Sequence, residues 1–200
     1  TILLSSEGIN LSLAGTQEQL HSFIQQLRTD ERFFDMRFHQ TYSTNVPFRF
    51  LKVKIKKEII TLRQPCVDAV QSRAASISPA ELKQWLDENR DFVLLDTRND
   101  YEYAQGSFKN ALTLPMNDFS AFPTLLNDLP QDKPIVMFCT GGIRCEKAAL
   151  YMQEQGFANV LQLDSGILGY FAQMGGAHYE GNCFVFDERI SVTPTLKPTH

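Results

Sequence analysis

The sequence predicts an α/β domain, a parallel sheet flanked by helices, preceded by a small α+β domain. Three observations carry this. Val93-Leu94-Leu95-Asp96 and Ile135-Val136-Met137-Phe138 are short apolar runs, as expected of strands buried on both faces of a parallel sheet. Strand and helix signals alternate between and after them, the order that gives an α/β layer structure. Before residue 65, one helix pattern sits among short strand patterns, an order compatible with an α+β sandwich.

In the first domain, residues 2–4 and 11–13 read as strands around Glu7-Gly8-Ile9-Asn10, whose glycine supplies unusual backbone geometry. Thr16 with Gln19 makes a capping box, and Leu20, Phe23, Ile24 and Leu27 repeat at helical spacing to give one buried stripe. Residues 34–40 and 48–62 read as strands. Within the latter, alternation turns Leu51, Val53 and Ile55 inward and puts Lys52, Lys54 and Lys56 on the opposite face. Phe48 and Phe50 are expected in the core.

Ser78-Pro79-Ala80-Glu81 opens the second domain with a capping serine, proline at the first helical position and glutamate at the third. Leu82, Trp85 and Leu86 form that helix's inner face. A helix follows Arg144 and ends before Gly156, and residues 160–163 are another strand. The expected divisions are 1–65 for the small domain, 66–76 for a linker, 77–178 for the α/β domain and 179–200 for the start of a further extension.

Composition narrows the function. With 200 residues, 43% hydrophobic and 21% charged, the chain is far from the disordered regime. No apolar run approaches the roughly 18 residues of a membrane span, and the start lacks the basic and apolar regions of a signal peptide. Thr1 opens directly into an apolar segment, so an excised piece of a longer chain is expected. Four scattered cysteines without a Cys-x-x-Cys pair point to a reducing, cytoplasmic setting. His21, His39, His178 and His200 show no ligand spacing with them, so no metal site is expected.

The net charge of −4 conceals an asymmetry: residues 1–65 carry nine Lys/Arg against six Asp/Glu, and residues 66–200 ten against seventeen. The first domain is where a polyanion would dock. Arg49, Lys52, Lys54, Lys56 and Lys57 make a basic stripe suited to RNA phosphates. A solvated face, or an edge guarded by lysines, accounts for the same pattern.

The sharpest feature is the loop Cys139-Thr140-Gly141-Gly142-Ile143-Arg144, between a buried strand and a helix. Adjacent glycines let several amides converge on one point, the helix adds its positive end, and Arg144 adds a charge. Such surroundings bring a cysteine from about 8.5 to roughly 3.5–7.5, an ionised nucleophile at neutral pH. Cys145, on one helical face with Ala149 and Met152, is either a packed core thiol or a partner that resolves a disulfide or persulfide on Cys139. Arg98 either helps hold the loop or pairs with Asp96 or Glu102.

This loop resembles the six-residue active loop of rhodanese-type domains, and Asp96-Thr97-Arg98 with Glu102 and Gly106 resembles their second motif, D-x-R-x-x-x-E-x-x-x-G. Related phosphatases place five residues between Cys and Arg. Only four intervene here, which suits a bound sulfur and disfavours phosphatase chemistry. The longer stretch Cys-Thr-Gly-Gly-Ile-Arg-Cys-Glu-Lys-Ala at 139–148 is similar to the oxygen-dependent tRNA uridine hydroxylase family. So are Glu7-Gly8-Ile9-Asn10, the strand at 53–59 and Gly181-Asn182-Cys183-Phe184-Val185-Phe186-Asp187-Glu188-Arg189.

The resemblance implies a rhodanese-like domain behind a ferredoxin/acylphosphatase-like one, and 5-hydroxylation of wobble uridine at Cys139. Asp96 and Arg98 would support the loop, the anticodon arm of tRNA would be the partner, and molecular oxygen the co-substrate. It tips the basic stripe toward RNA. No DNA or membrane partner is expected, no protein partner is indicated, and no flavin, nicotinamide or iron motif is evident.

Family members usually have an extra strand and helix before Glu-Gly-Ile-Asn and a cysteine-rich region after Cys-Phe-Val-Phe-Asp. Two local departures are Leu11, where glycine is frequent, and Asp164-Ser165-Gly166 in place of a glycine pair. A thiosulfate or persulfide sulfurtransferase, needing only the second domain, and a non-enzymatic redox-sensing or partner-binding module are the rival readings.

Overall fold

A computed structural model describes residues 1–36, 38–44, 46–64, 67 and 72–199. The first unit is a three-stranded sheet in the order β2-β1-β3, with β1 (Ile2–Ser5) central, antiparallel to β2 (Gly8–Leu11) and, after helix α1 (Gln17–Leu27), parallel to β3 (Val53–Ile55). The capping box of Thr16 and Gln19 is present. Leu20, Phe23, Ile24 and Leu27 are half-buried rather than buried.

Several local expectations change here. The second strand occupies Gly8–Leu11 instead of 11–13, because Ser6 and Glu7 make a two-residue turn that pairs Ser5 with Gly8. Among the described residues of 34–40 there is no strand: a short helical turn at Glu31–Phe33, capped by Asp30, continues into a turn at Phe34 and Asp35. A period-two pattern becomes strand only where a neighbouring edge pairs with it, and none of the described residues of 34–40 is paired in the β2-β1-β3 sheet. Only Val53–Ile55 of 48–62 is strand, and Leu51, Val53 and Ile55 are exposed, as is Phe50. Alternation defines two faces but not which is covered, and on edge strand β3 neither is.

The second unit is a five-stranded parallel sheet in the order β4-β9-β8-β5-β7. It begins with β4 (Ser76–Ile77) and α2 (Pro79–Asp87), where Ser78 accepts from the Glu81 N–H at 3.1 Å, a cap worth about 1 kcal/mol. Then come β5 (Val93–Asp96), α3 (Asp100–Tyr103), β6 (Gly106–Phe108), β7 (Leu112–Thr113), β8 (Ile135–Phe138), α4 (Ile143–Glu154), β9 (Val160–Leu163) and α5 (Gly166–Met174). β10 (Tyr179–Gly181) returns antiparallel to β6, and β11 (Cys183–Phe184) pairs with β12 (Ser191–Val192).

Apolar side chains fill both faces of this sheet. On one face Leu95, Met137, Ala148 and Met152 pack with Phe119 and Phe122. On the other, Leu94, Val136 and Phe138 pack with Leu82, Ile167 and Tyr170. Phe108 meets Phe138, Tyr170 and Tyr179 edge-on at 4.8–5.2 Å, each pair worth about 0.5–1.5 kcal/mol beyond its buried area.

The junction differs from the expected linker. Leu62 is fully buried in the second unit's core, where Val67 and Ala74 join it, and Ser76 pairs with Gln162 in the sheet. Cys66 and residues 68–71 lie outside the described residues. An ion triad also ties the units together. Lys147 of α4, nearly buried, donates to Glu7 Oε1 at 2.7 Å, Glu58 Oε2 at 2.5 Å and the Ile60 carbonyl at 3.2 Å. Glu7 in turn accepts from the Ile59 N–H, and Glu58 from that of Leu62.

Candidate active site

Cys139 follows the last residue of β8, at the carboxyl edge of the sheet where α/β folds place their sites. The chain turns through Gly142, whose φ of +100° favours glycine, and enters α4 at Ile143. Gly142 N–H donates to Cys139 Sγ at 3.1 Å. From the far side, the amides of Ile167 and Leu168 at the start of α5 donate to the Cys139 and Thr140 carbonyls at 3.0 and 3.1 Å. Gly166 permits that approach, because a Cβ there would press on both carbonyl oxygens. Ser165, just before it, takes φ +62°.

The thiol of Cys139 lies well below the usual cysteine range. The largest cause is hydrogen bonding from the Cys145 thiol. Burial opposes this, and the Arg144 charge with the Arg144 and Cys145 amides outweighs it. Cys145 itself is pushed up by burial and by its neighbour's charge. It sits in the core with Ala149 and Met152, its Sγ 3.4 Å from Thr97 Oγ1. Cys139 has no solvent exposure; its side chain sits beneath the loop rather than at its rim.

Arg144 is committed elsewhere than its charge alone suggests. Its guanidinium makes a two-pronged pair with buried Glu102 at 2.5 and 2.8 Å, and Glu102 also accepts from Thr140 Oγ1 at 3.3 Å. Burial works against the Arg144 cation, but Glu102 and the Cys139 charge hold it above the ordinary arginine value. Glu102 is therefore the residue that clamps both ends of the loop, and its place in the second motif was the signal for it.

Among the described residues, no hydrogen bond or ion pair joins Asp96 or Arg98 to the loop. They pair with each other at 2.9 and 2.6 Å, both fully buried; Arg98 also donates to the Gly106 carbonyl at 2.7 Å and Asp96 accepts from Ser107 Oγ at 2.8 Å. Their direct effect is to brace β5 against β6. Of the alternatives for Arg98, Asp96 is the partner, since Glu102 is taken by Arg144.

Arg49, Lys52, Lys54, Lys56 and Lys57 are all exposed, and none forms an ion pair among the described residues. Lys56 and Lys57 line a groove of about 460 Å³ with Ile55, Glu58, Thr61 and Arg63, to which Arg63 adds a cation that the pattern reading missed. Among the described residues no group of three His, Cys, Asp or Glu is placed to hold a metal ion, and no helix is long and apolar enough to cross a membrane.

Residues 1–59 match the family described as UPF0176 acylphosphatase like domain, and residues 78–173 match the Rhodanese-like domain. A protein of Xanthomonas euvesicatoria pv. vesicatoria (strain 85-10) named tRNA uridine(34) hydroxylase is 52% identical, over 99% of this chain and 83% of its own length. Proteins of the same name are 50% identical in Xanthomonas oryzae pv. oryzae (strain PXO99A), where 81% of the relative is covered, and 48% identical in Cupriavidus taiwanensis, where 73% is covered. With about half of the residues identical to these proteins over nearly the whole chain, and family matches in both units, the chain belongs to the tRNA uridine(34) hydroxylase family.

Proposed function

We propose that this protein hydroxylates C5 of the wobble uridine of tRNA, with Cys139 as the nucleophile. The observation that carries the reading is a thiol poised toward its ionised form by Cys145, the loop amides and Arg144, in a chain of this family. Uridine C5 and C6 form an alkene conjugated to the C4 carbonyl. Thiolate addition at C6 moves the electron pair to C5 and O4, so that C5 attacks an oxygen-derived electrophile. Loss of the C5 proton then expels the thiolate and restores the double bond.

With molecular oxygen as co-substrate, one oxygen atom enters C5–OH and the other leaves as water, which consumes two electrons and two protons from an external reductant. Thr140 to Arg144 form the loop around the sulfur, and Asp96 and Arg98 brace the sheet edge beneath it. The basic side chains Arg49, Lys52, Lys54, Lys56 and Lys57 supply cations for the anticodon arm. Three free cysteines among the described residues, Cys139, Cys145 and Cys183, fit a reducing cytoplasm.

Mass spectrometry of wobble nucleosides tests this. Cells lacking the gene should lose 5-hydroxyuridine and its derivatives, regain them with the unaltered gene and not with Cys139→Ser. Labelled dioxygen should appear in the new hydroxyl; label arriving from water instead would remove oxygen as co-substrate. The match of residues 78–173 to the Rhodanese-like domain supports a second reading, sulfur transfer through a Cys139 persulfide. Turnover of thiosulfate with cyanide as acceptor, with nucleosides unchanged on deletion, would favour it.

A further inference from the structure

We propose that Tyr101, Phe184 and Phe186 form a stacking ledge for an unpaired nucleobase at the mouth of the Cys139 loop. The inference deepens the RNA-modifying reading above and rests on it. Phe186 is 64% exposed and Tyr101 48%, large aromatic surface that contributes little to the fold. Half-buried Phe184 stands between them, its ring edge-on to Tyr101 at 5.3 Å and to Phe186 at 5.1 Å. These contacts hold the two outer rings in set planes while leaving them open to solvent. Phe186 also lies against the loop clamp, with the Arg144 guanidinium 5.9 Å from its centroid.

The segment is well held. Phe184 belongs to the β11–β12 pair, the Val185 N–H donates to the Ile190 carbonyl at 2.8 Å, and Arg189 grips Asp187 with two bonds of 2.8 and 2.6 Å. It also reaches the first unit, where the Glu188 N–H donates to the Pro47 carbonyl at 3.1 Å and Arg189 Nη1 to Thr41 Oγ1 at 3.4 Å. One segment thus touches the basic unit, the aromatic ledge and, through Arg144, the cysteine loop. The Arg144 charge is already neutralised by Glu102, so the place offers aromatic faces rather than a phosphate site. Base stacking on such faces tolerates any base and suits the splayed nucleotides of an RNA loop.

The competing explanation makes Phe186 a plain apolar cover over the Glu102–Arg144 pair. Binding of an anticodon stem-loop RNA, followed by anisotropy with 2-aminopurine beside the wobble base, separates the two. Phe186→Ala, Phe186→Leu and Tyr101→Ala should each weaken binding about 5- to 100-fold, while Phe186→Trp keeps both affinity and 2-aminopurine quenching. The salt dependence of binding should stay unchanged in these variants, since no phosphate contact is lost. Phe186→Leu binding like the unaltered protein, with only the Cys139 alkylation rate altered in Phe186→Ala, would overturn the ledge. Failure of the unaltered protein to bind the RNA at all would overturn the functional reading itself.

Discussion

At Cys139 one unfavourable influence, complete burial, meets several favourable ones: a thiol donor, three amides and a guanidinium. Since the favourable ones prevail, the alkylation rate of Cys139 should rise with pH through a midpoint below the ordinary thiol value of about 8.5. Cys145→Ala removes a donor that favours the thiolate, so its midpoint should move upward. A midpoint left in place by that variant would show that the amides and Arg144 suffice. Glu102 is the other decisive residue, because its loss strands the buried Arg144 charge. Glu102→Gln should cost about 3–5 kcal/mol in urea unfolding and lower 5-hydroxyuridine formation. Arg144→Lys cannot restore the two-pronged geometry and should fail similarly.

Among the elements, the turn from β9 into α5 governs the loop as much as the loop's own glycines do. Gly166→Ala combines a left-handed backbone with a Cβ aimed at two carbonyls of the cysteine loop. It should cost about 1–3 kcal/mol and lower Cys139 alkylation at neutral pH, read from denaturant midpoints and labelling rates. The N-terminal unit shows where pattern reading stops. The α1 capping box is a local device and formed as its residues dictate, whereas residues 34–40 alternate like a strand yet their described residues pair with no edge of the sheet. Strand β3 pairs with β1 but leaves Leu51, Val53 and Ile55 exposed. Pairing partners and covering layers lie far away in sequence, and period alone does not reveal them.

For the whole molecule, the connection between the units matters most. Lys147 lies one turn beyond Arg144 and is gripped by Glu7 and Glu58, so the Glu-Gly-Ile-Asn segment and the cysteine helix meet through one ammonium. Lys147→Met leaves two carboxylates facing each other without a cation. It should cost about 2–3 kcal/mol, less than a fully buried pair because both carboxylates keep some exposure to water. Adding Glu7→Gln and Glu58→Gln to it should recover much of the loss in urea titrations. Alanine at Lys52, Lys54 and Lys56 should weaken tRNA binding and flatten its salt dependence; unchanged curves would return the stripe to a solvated face.

Much of the second unit was legible along the chain because its signals are local: buried apolar strands, a Ser-Pro-x-Glu helix start, and a glycine loop between strand and helix. The place of the cysteine loop between strand and helix and the parallel character of the sheet follow from residues within a few positions of each other. Tertiary structure alone decided that Glu102 rather than Arg98 closes the clamp, that Cys139 lies beneath its loop, and that Leu62 and Lys147 dock one unit on the other. The Glu102–Arg144 and Glu7–Lys147 pairs join residues more than 40 positions apart, and pairing or docking over that separation depends on packing that no local pattern encodes.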